Sequence, residues 1–426
     1  MSIFAPVRTQ GAPAAPSAPA LSAPLRVVTI AVLSVPWIIP IDYVFVQPAV
    51  RIMYATTLAA GAVLFFFLPH RAPERRWTLL AALVAIAAAG FAVTFFGATG
   101  TVLLLLRVLS GFVMFRLVRN PSLVLAVFVG LDMASLAADY LTESFVYLNF
   151  FDGLRFVPNT EVALRPRGFV GHAVPAGILA VVVACSYAVA RSHRPRGATH
   201  GVVIMAASIV AALLSGTRSA LLVFIALAAL ALLRQLKLRR FSFGRISALI
   251  LLSSVAAVVV HTIGRDLPIF ARGPLENSSS FIVRSNALAV LDRLPNPCGP
   301  PCTIAGHGFG SLQEILRQGY GFRYINTVDN QFVSLFWDFG ALGLAAVILL
   351  AGGALRTVLR ESDRGRTAGA FGILGLVLAG FFYDVLWNSL GTLFLGLFIG
   401  MWTAPREPLE RAADDMPDPH VGAGGE

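Results

Sequence analysis

Three short segments of this chain present arginine where phosphate chemistry could use it: Arg165-Pro166-Arg167-Gly168, Ser215-Gly216-Thr217-Arg218-Ser219 and Phe281-Ile282-Val283-Arg284-Ser285-Asn286. A guanidinium stays charged at any ordinary pH, and its planar fork matches two oxygens of a phosphate. Arg165, Arg167, Arg218 and Arg284, gathered on one face, therefore suit a diphosphate. The bland reading of each is an arginine solvated at a surface or reaching to lipid headgroups. A fourth segment, Thr327-Val328-Asp329-Asn330-Gln331, puts a carboxylate and an amide at the start of an apolar stretch. Asp329 there is either a helix cap or a general base kept ionised by nearby arginines. Asp338, Asp384, Asp132 and Asp139 lie in or beside apolar runs, where a carboxylate pairs with a buried arginine or lines a cavity.

Other motifs carry less. Gly306-His307-Gly308-Phe309-Gly310 lacks the lysine and the strand–helix setting of a phosphate loop, so a tight glycine turn is expected there. His172 and His307 have no Cys/His partners at ligand spacing, and no Asp-x-Asp pair stands in the loops expected to face outward. Neither a metal nor another cofactor is expected. Asp414-Asp415 reads as a solvated acidic patch. Cys298 and Cys302, separated by Gly-Pro-Pro, are candidates for a local disulfide, and Cys185 for packing inside a span.

The elements that must hold these residues are apolar helices. Hydrophobic residues make up 57% of the chain and charged residues only 13%, against about a quarter charged in soluble domains. The apolar runs are continuous rather than alternating, which excludes transmembrane strands. The fold class expected is an all-α polytopic membrane protein of about twelve spans. These lie near 27–46, 52–68, 77–96, 99–118, 122–140, 172–190, 200–216, 219–233, 246–263, 328–350, 367–383 and 387–403. Residues 1–25, rich in Ala-Pro, read as a disordered tail, 26–403 as the membrane domain and 404–426 as a second tail. The first span is expected to be retained as an anchor.

Charge placement sets the orientation. With the N-terminus inside, Arg71, Arg75, Arg76, Arg116, Arg119, Arg191, Arg194, Arg196, Arg234, Lys237, Arg239, Arg240, Arg245, Arg356, Arg360, Arg364 and Arg366 fall on one side. Reading the Ser215–Ser219 segment as a turn between two helices keeps this alternation, whereas one long helix would invert everything after it. Both termini are then cytoplasmic. The net charge of +11 is a topology signal, which excludes nucleic acid as a partner. Two outer loops result, 141–171 and the longer 264–327 between spans nine and ten, and loops of such length are usually functional or disordered; without low-complexity sequence, these are where the chemistry is expected.

In this order, the Arg…Gly segment before a span (Arg167, Gly171), the Ser-Gly-x-Arg-Ser turn (Ser215–Ser219), Arg284 in a long outer loop, the Gly-x-Gly-x-Gly run and the Asp329-Asn330 pair opening a span resemble the O-antigen ligase/polymerase family. These are bacterial membrane glycosyltransferases of the GT-C kind, which use undecaprenyl-diphosphate-linked glycans. The resemblance covers roughly 160–350 and implies a metal-independent transferase in the cytoplasmic membrane, its active site on the outer face. It implies that Arg218 and Arg284 hold the donor diphosphate. Asp329 is the residue expected to orient or deprotonate the acceptor hydroxyl, and Asn330 and Asp384 are further candidates for the substrate site. Ligases of the family carry a His just before the Asn; here that position is Asp329, which favours a polymerase of polysaccharide repeats over a ligase. Flippase and chain-length proteins of such a pathway are the implied partners, besides membrane lipids. A transporter is the reading from another class, but no internal repeat supports it.

Overall fold

Long apolar stretches without internal water must satisfy their own backbone, and the chain does so with helices. The computed structural model describes residues 23–39, 48–67, 99–118, 120–150, 166–192, 195–235, 291, 294, 299–317 and 330–404. Within them run α1 (Ala23–Ile38), α2 (Pro48–Phe67), α3 (Thr99–Leu117), α4 (Pro121–Thr142), α5 (Val146–Phe150), α6 (Ala173–Arg191), α7 (Pro195–Leu214) and α8 (Arg218–Gln235). Then follow α9 (Pro300–Ala305), α10 (Ser311–Arg317), α11 (Gln331–Arg360), α12 (Arg364–Ala379) and α13 (Ser389–Thr403). No strand occurs among the described residues. Six helices, α2, α3, α4, α6, α7 and α11, are long and apolar enough to cross a membrane, and α1 and α13 are shorter apolar helices. The chain is a polytopic membrane protein whose described elements are all helices. The expected spans 77–96 and 246–263 lie outside the described residues.

Helix α6 is the axis of the bundle. Ile178 to Ala184 are all fully buried, and α4, α7, α8 and α12 pack around them. Beyond α12 the packing continues through α13 to α3, and from α3 to α2. The α3–α13 contact is backbone-close: a Cβ on Gly396 would stand 1.9 Å from the Val108 carbonyl oxygen. This is how small residues bring helices together where apolar burial alone gives no drive. Large apolar side chains such as Ile52, Leu131, Val202 and Ile348 face outward, a surface matched to lipid.

Polar contacts define two ends. At one, Arg26 donates to the Leu117 carbonyl, Arg234 to the Glu361 carbonyl at 3.1 Å, and Arg366 to the Trp402 carbonyl at 3.3 Å. The Arg366 guanidinium also lies 3.8 Å from the Glu361 carboxylate. These contacts gather the starts of α1 and α12 with the ends of α3, α8, α11 and α13 at one end of the bundle. The Ser215–Thr217 turn does break α7 from α8. Within the bundle, the Arg107 Nε donates to the Tyr54 hydroxyl at 3.0 Å, and its guanidinium lies 5.8 Å from that ring. Aromatic and hydroxyl contact thus satisfies a buried cation inside an apolar helix.

Candidate functional site

The other end of the bundle carries the candidate site, and each of its segments is tied down by a long-range polar contact. The segment before α6 is fixed to α4 by Asp139. One carboxylate oxygen accepts from the Arg167 and Gly168 backbone N–H groups at 3.0 and 2.8 Å, and the other from Val146 N–H at 2.9 Å. Ser135, one turn earlier on α4, accepts from the Phe169 N–H at 3.0 Å. Gly168 adopts φ +55°, and a Cβ there would meet the Ser135 hydroxyl at 2.6 Å; the close approach needs glycine. The Arg167 guanidinium lies 4.6 Å from the Phe145 ring.

This segment ends at His172, the N-cap of α6. Its Nδ1 accepts from Val174 N–H at 3.3 Å. Because Nδ1 is an acceptor, the neutral ring carries its proton on Nε2 and presents a donor there. The ring stacks on Tyr383 with centroids 5.4 Å apart. The Thr217 hydroxyl donates to the Ala173 carbonyl at 3.0 Å, which ties the turn bearing Arg218 to the start of α6. Arg167, His172 and Arg218 therefore stand on adjoining segments at one end.

Asn330 opens α11, its side-chain oxygen accepting from Phe332 and Val333 N–H at 3.0 and 3.3 Å. The amide at this position is the helix cap. Gln331 donates its backbone N–H to the Gly380 carbonyl at 2.8 Å, and its side-chain oxygen accepts from Leu386 N–H at 3.0 Å. The turn region after α12, with Tyr383 and Asp384, is thus fastened to the start of α11. Asp384 is buried and accepts from Trp387 N–H at 3.3 Å.

A second carboxylate anchors the glycine-rich segment. Asp338 accepts from Gly310 N–H at 2.8 Å, the Ser311 hydroxyl at 3.0 Å and Leu312 N–H at 3.2 Å, and so caps α10. Here α11 is broken at Gly340 (φ 63°, ψ −161°). A Cβ at Gly340 would stand 2.4 Å from the Ile304 carbonyl, so the 299–317 segment packs directly on the broken helix. His307 stacks on Trp337 at 4.0 Å, and burial lowers its affinity for a proton, offset in part by its contact with the Trp337 carbonyl. Gly306, Gly308 and Gly310 all have positive φ, which is the glycine turn expected from the sequence.

Arg284, Asp329, Arg165 and Cys298 lie outside the described residues. Arg167, Arg218, Asn330 and Asp384 do lie at the same end, carried on the segments above. Cys302 is disulfide-bonded, and Cys185 is a free thiol buried in α6. Among the described residues no cluster of His, Cys, Asp or Glu could hold a metal ion. Asp132 is fully buried in α4, and neither carboxylate oxygen has a hydrogen-bond partner. Sequence reasoning passed over Tyr383 and Gln331 and considered His172 only as a metal ligand. No family model matches the chain, and no curated protein matches it.

Proposed function

We propose that this protein is a glycosyltransferase of the O-antigen ligase/polymerase type, polymerising undecaprenyl-diphosphate-linked oligosaccharide repeats at the outer face of a bacterial cytoplasmic membrane. The observation that carries the reading is the gathering of Arg167, His172 and Arg218 at the end of the bundle opposite Arg26, Arg234 and Arg366. In this reading the latter end is cytoplasmic, as positive-inside placement requires, and about twelve spans put both termini there. The long segment before α11 then faces outward.

In the reaction, a hydroxyl of one lipid-linked repeat attacks the anomeric carbon of the donor glycan. A new glycosidic bond forms as the bond from that carbon to the diphosphate oxygen breaks, and the diphosphate leaves with the electron pair. Arg218 and Arg284 stabilise the charge that develops on it, with Arg167 assisting. Asp329 takes or orients the hydroxyl proton. No step needs a metal.

Purified protein in proteoliposomes, supplied with a lipid-diphosphate-linked repeat, should yield a ladder of multiples by gel and mass spectrometry. A single transfer seen only after a second acceptor is added would make it a ligase. No covalent change, with the native repeat confirmed, would favour a transporter of the same lipid-linked sugar.

A further inference from the structure

We infer that Asp139 is a positioning residue for Arg167, acting on the donor diphosphate through it; the inference rests on the diphosphate reading above. Asp139 is fully buried, and its carboxylate is shared between two separate pieces of chain. One oxygen holds the backbone of Arg167 and Gly168, and the other holds Val146. Phe145, the residue just before Val146, carries the ring over which the Arg167 guanidinium lies. A single carboxylate thus fixes both the backbone that bears the guanidinium and the backbone of the aromatic platform beneath it. Ser135 adds a further bond to the same segment, at Phe169.

The arrangement has a physical purpose. An arginine has several rotatable bonds, and a long side chain on an untethered loop would lose its freedom only on meeting the ligand. Locking its backbone and giving its plane a stacking surface moves that ordering cost into folding. The buried carboxylate is itself satisfied by three N–H groups, which is what makes it tolerable at this depth.

The test is a double-mutant cycle on the full-length protein in detergent, measuring binding of farnesyl diphosphate as the probe alongside thermal unfolding. Asp139→Asn keeps one acceptor and loses the other. It should weaken binding about tenfold, comparable with Arg167→Ala, and the double variant should be no weaker than either single one. Additive losses, or an unchanged Kd for the folded fraction of Asp139→Asn with only a lower melting temperature, would overturn the inference and leave Asp139 a structural anchor. If Asp139→Asn does not fold, Ser135→Ala takes its place in the cycle. It should weaken binding about threefold in the Arg167 background and not at all when Arg167 is alanine; equal effects in both backgrounds would overturn the inference. Wild-type protein that fails to bind the probe would remove the diphosphate reading, and the inference with it. Normal wild-type binding with an unchanged Asp139→Asn removes the inference alone.

Discussion

Replacing His172 separates its capping of α6 from a part in the proposed reaction. Its Nδ1 caps α6, and its tautomer leaves a donor at Nε2 beside the Tyr383 ring. Asparagine places its amide near the position of Nδ1 and is a strong cap, whereas glutamine reaches nearer to Nε2. His172→Asn should therefore melt like wild type yet turn over about tenfold more slowly, the worth of one hydrogen bond to a charged group. His172→Gln should melt lower and keep more of the turnover. The reverse pattern, read from melting curves and product formation, would limit His172 to capping. Site residues were legible at this scale only where chemistry and local setting coincided. Arg218 beside a Ser-Gly turn stood out in the sequence, but Tyr383 did not, because nothing local marks a tyrosine that will stack on a ring more than two hundred residues earlier.

At the scale of elements, two aspartates do parallel work. Asp139 and Asp338 each bind backbone N–H groups of a segment 28 residues away in sequence, and each fastens that segment to an apolar helix. Removing the acceptor leaves buried donors unsatisfied, so Asp338→Ala should destabilise the protein by about 1–3 kcal/mol in thermal unfolding. The stack of His307 on Trp337 adds a pH dependence to the same segment. Burial holds the folded imidazole below its ordinary value of 6.5, so the unfolded state binds more protons as acid is added. This contribution to stability is full above about pH 6.5 and is lost as the pH falls through the folded value. His307→Phe, which keeps a ring over Trp337 but cannot titrate, should lose that part of the acid sensitivity. Identical pH profiles for the two proteins would contradict it. Helix positions were readable from hydropathy because each apolar run is continuous and local. Whether Asp139 and Asp338 would line a cavity or hold a loop was not, since their partners are distant backbone groups with no periodic signature.

For the whole molecule, the orientation expected from arginine placement leads to a labelling experiment. Native thiols interfere little, because Cys185 is buried and Cys302 is disulfide-bonded. Glu143→Cys, at an exposed position after α4, should react with a membrane-impermeant maleimide on intact cells. Ser362→Cys, between α11 and α12, should react only after the membrane is permeabilised. Labelling on the opposite sides would invert the orientation and put the arginine site inside.

The most direct test of the central claim is the turnover of Arg218→Ala beside wild type in proteoliposomes charged with a defined lipid-diphosphate-linked repeat. If Arg218 stabilises the leaving diphosphate, product should fall roughly hundredfold or more while the variant stays folded in the membrane, because the charge it meets develops only in the transition state. Arg218→Lys should recover part of the loss at most, since an ammonium lacks the two-pronged fork. Equal ladders from wild type and Arg218→Ala would contradict the account.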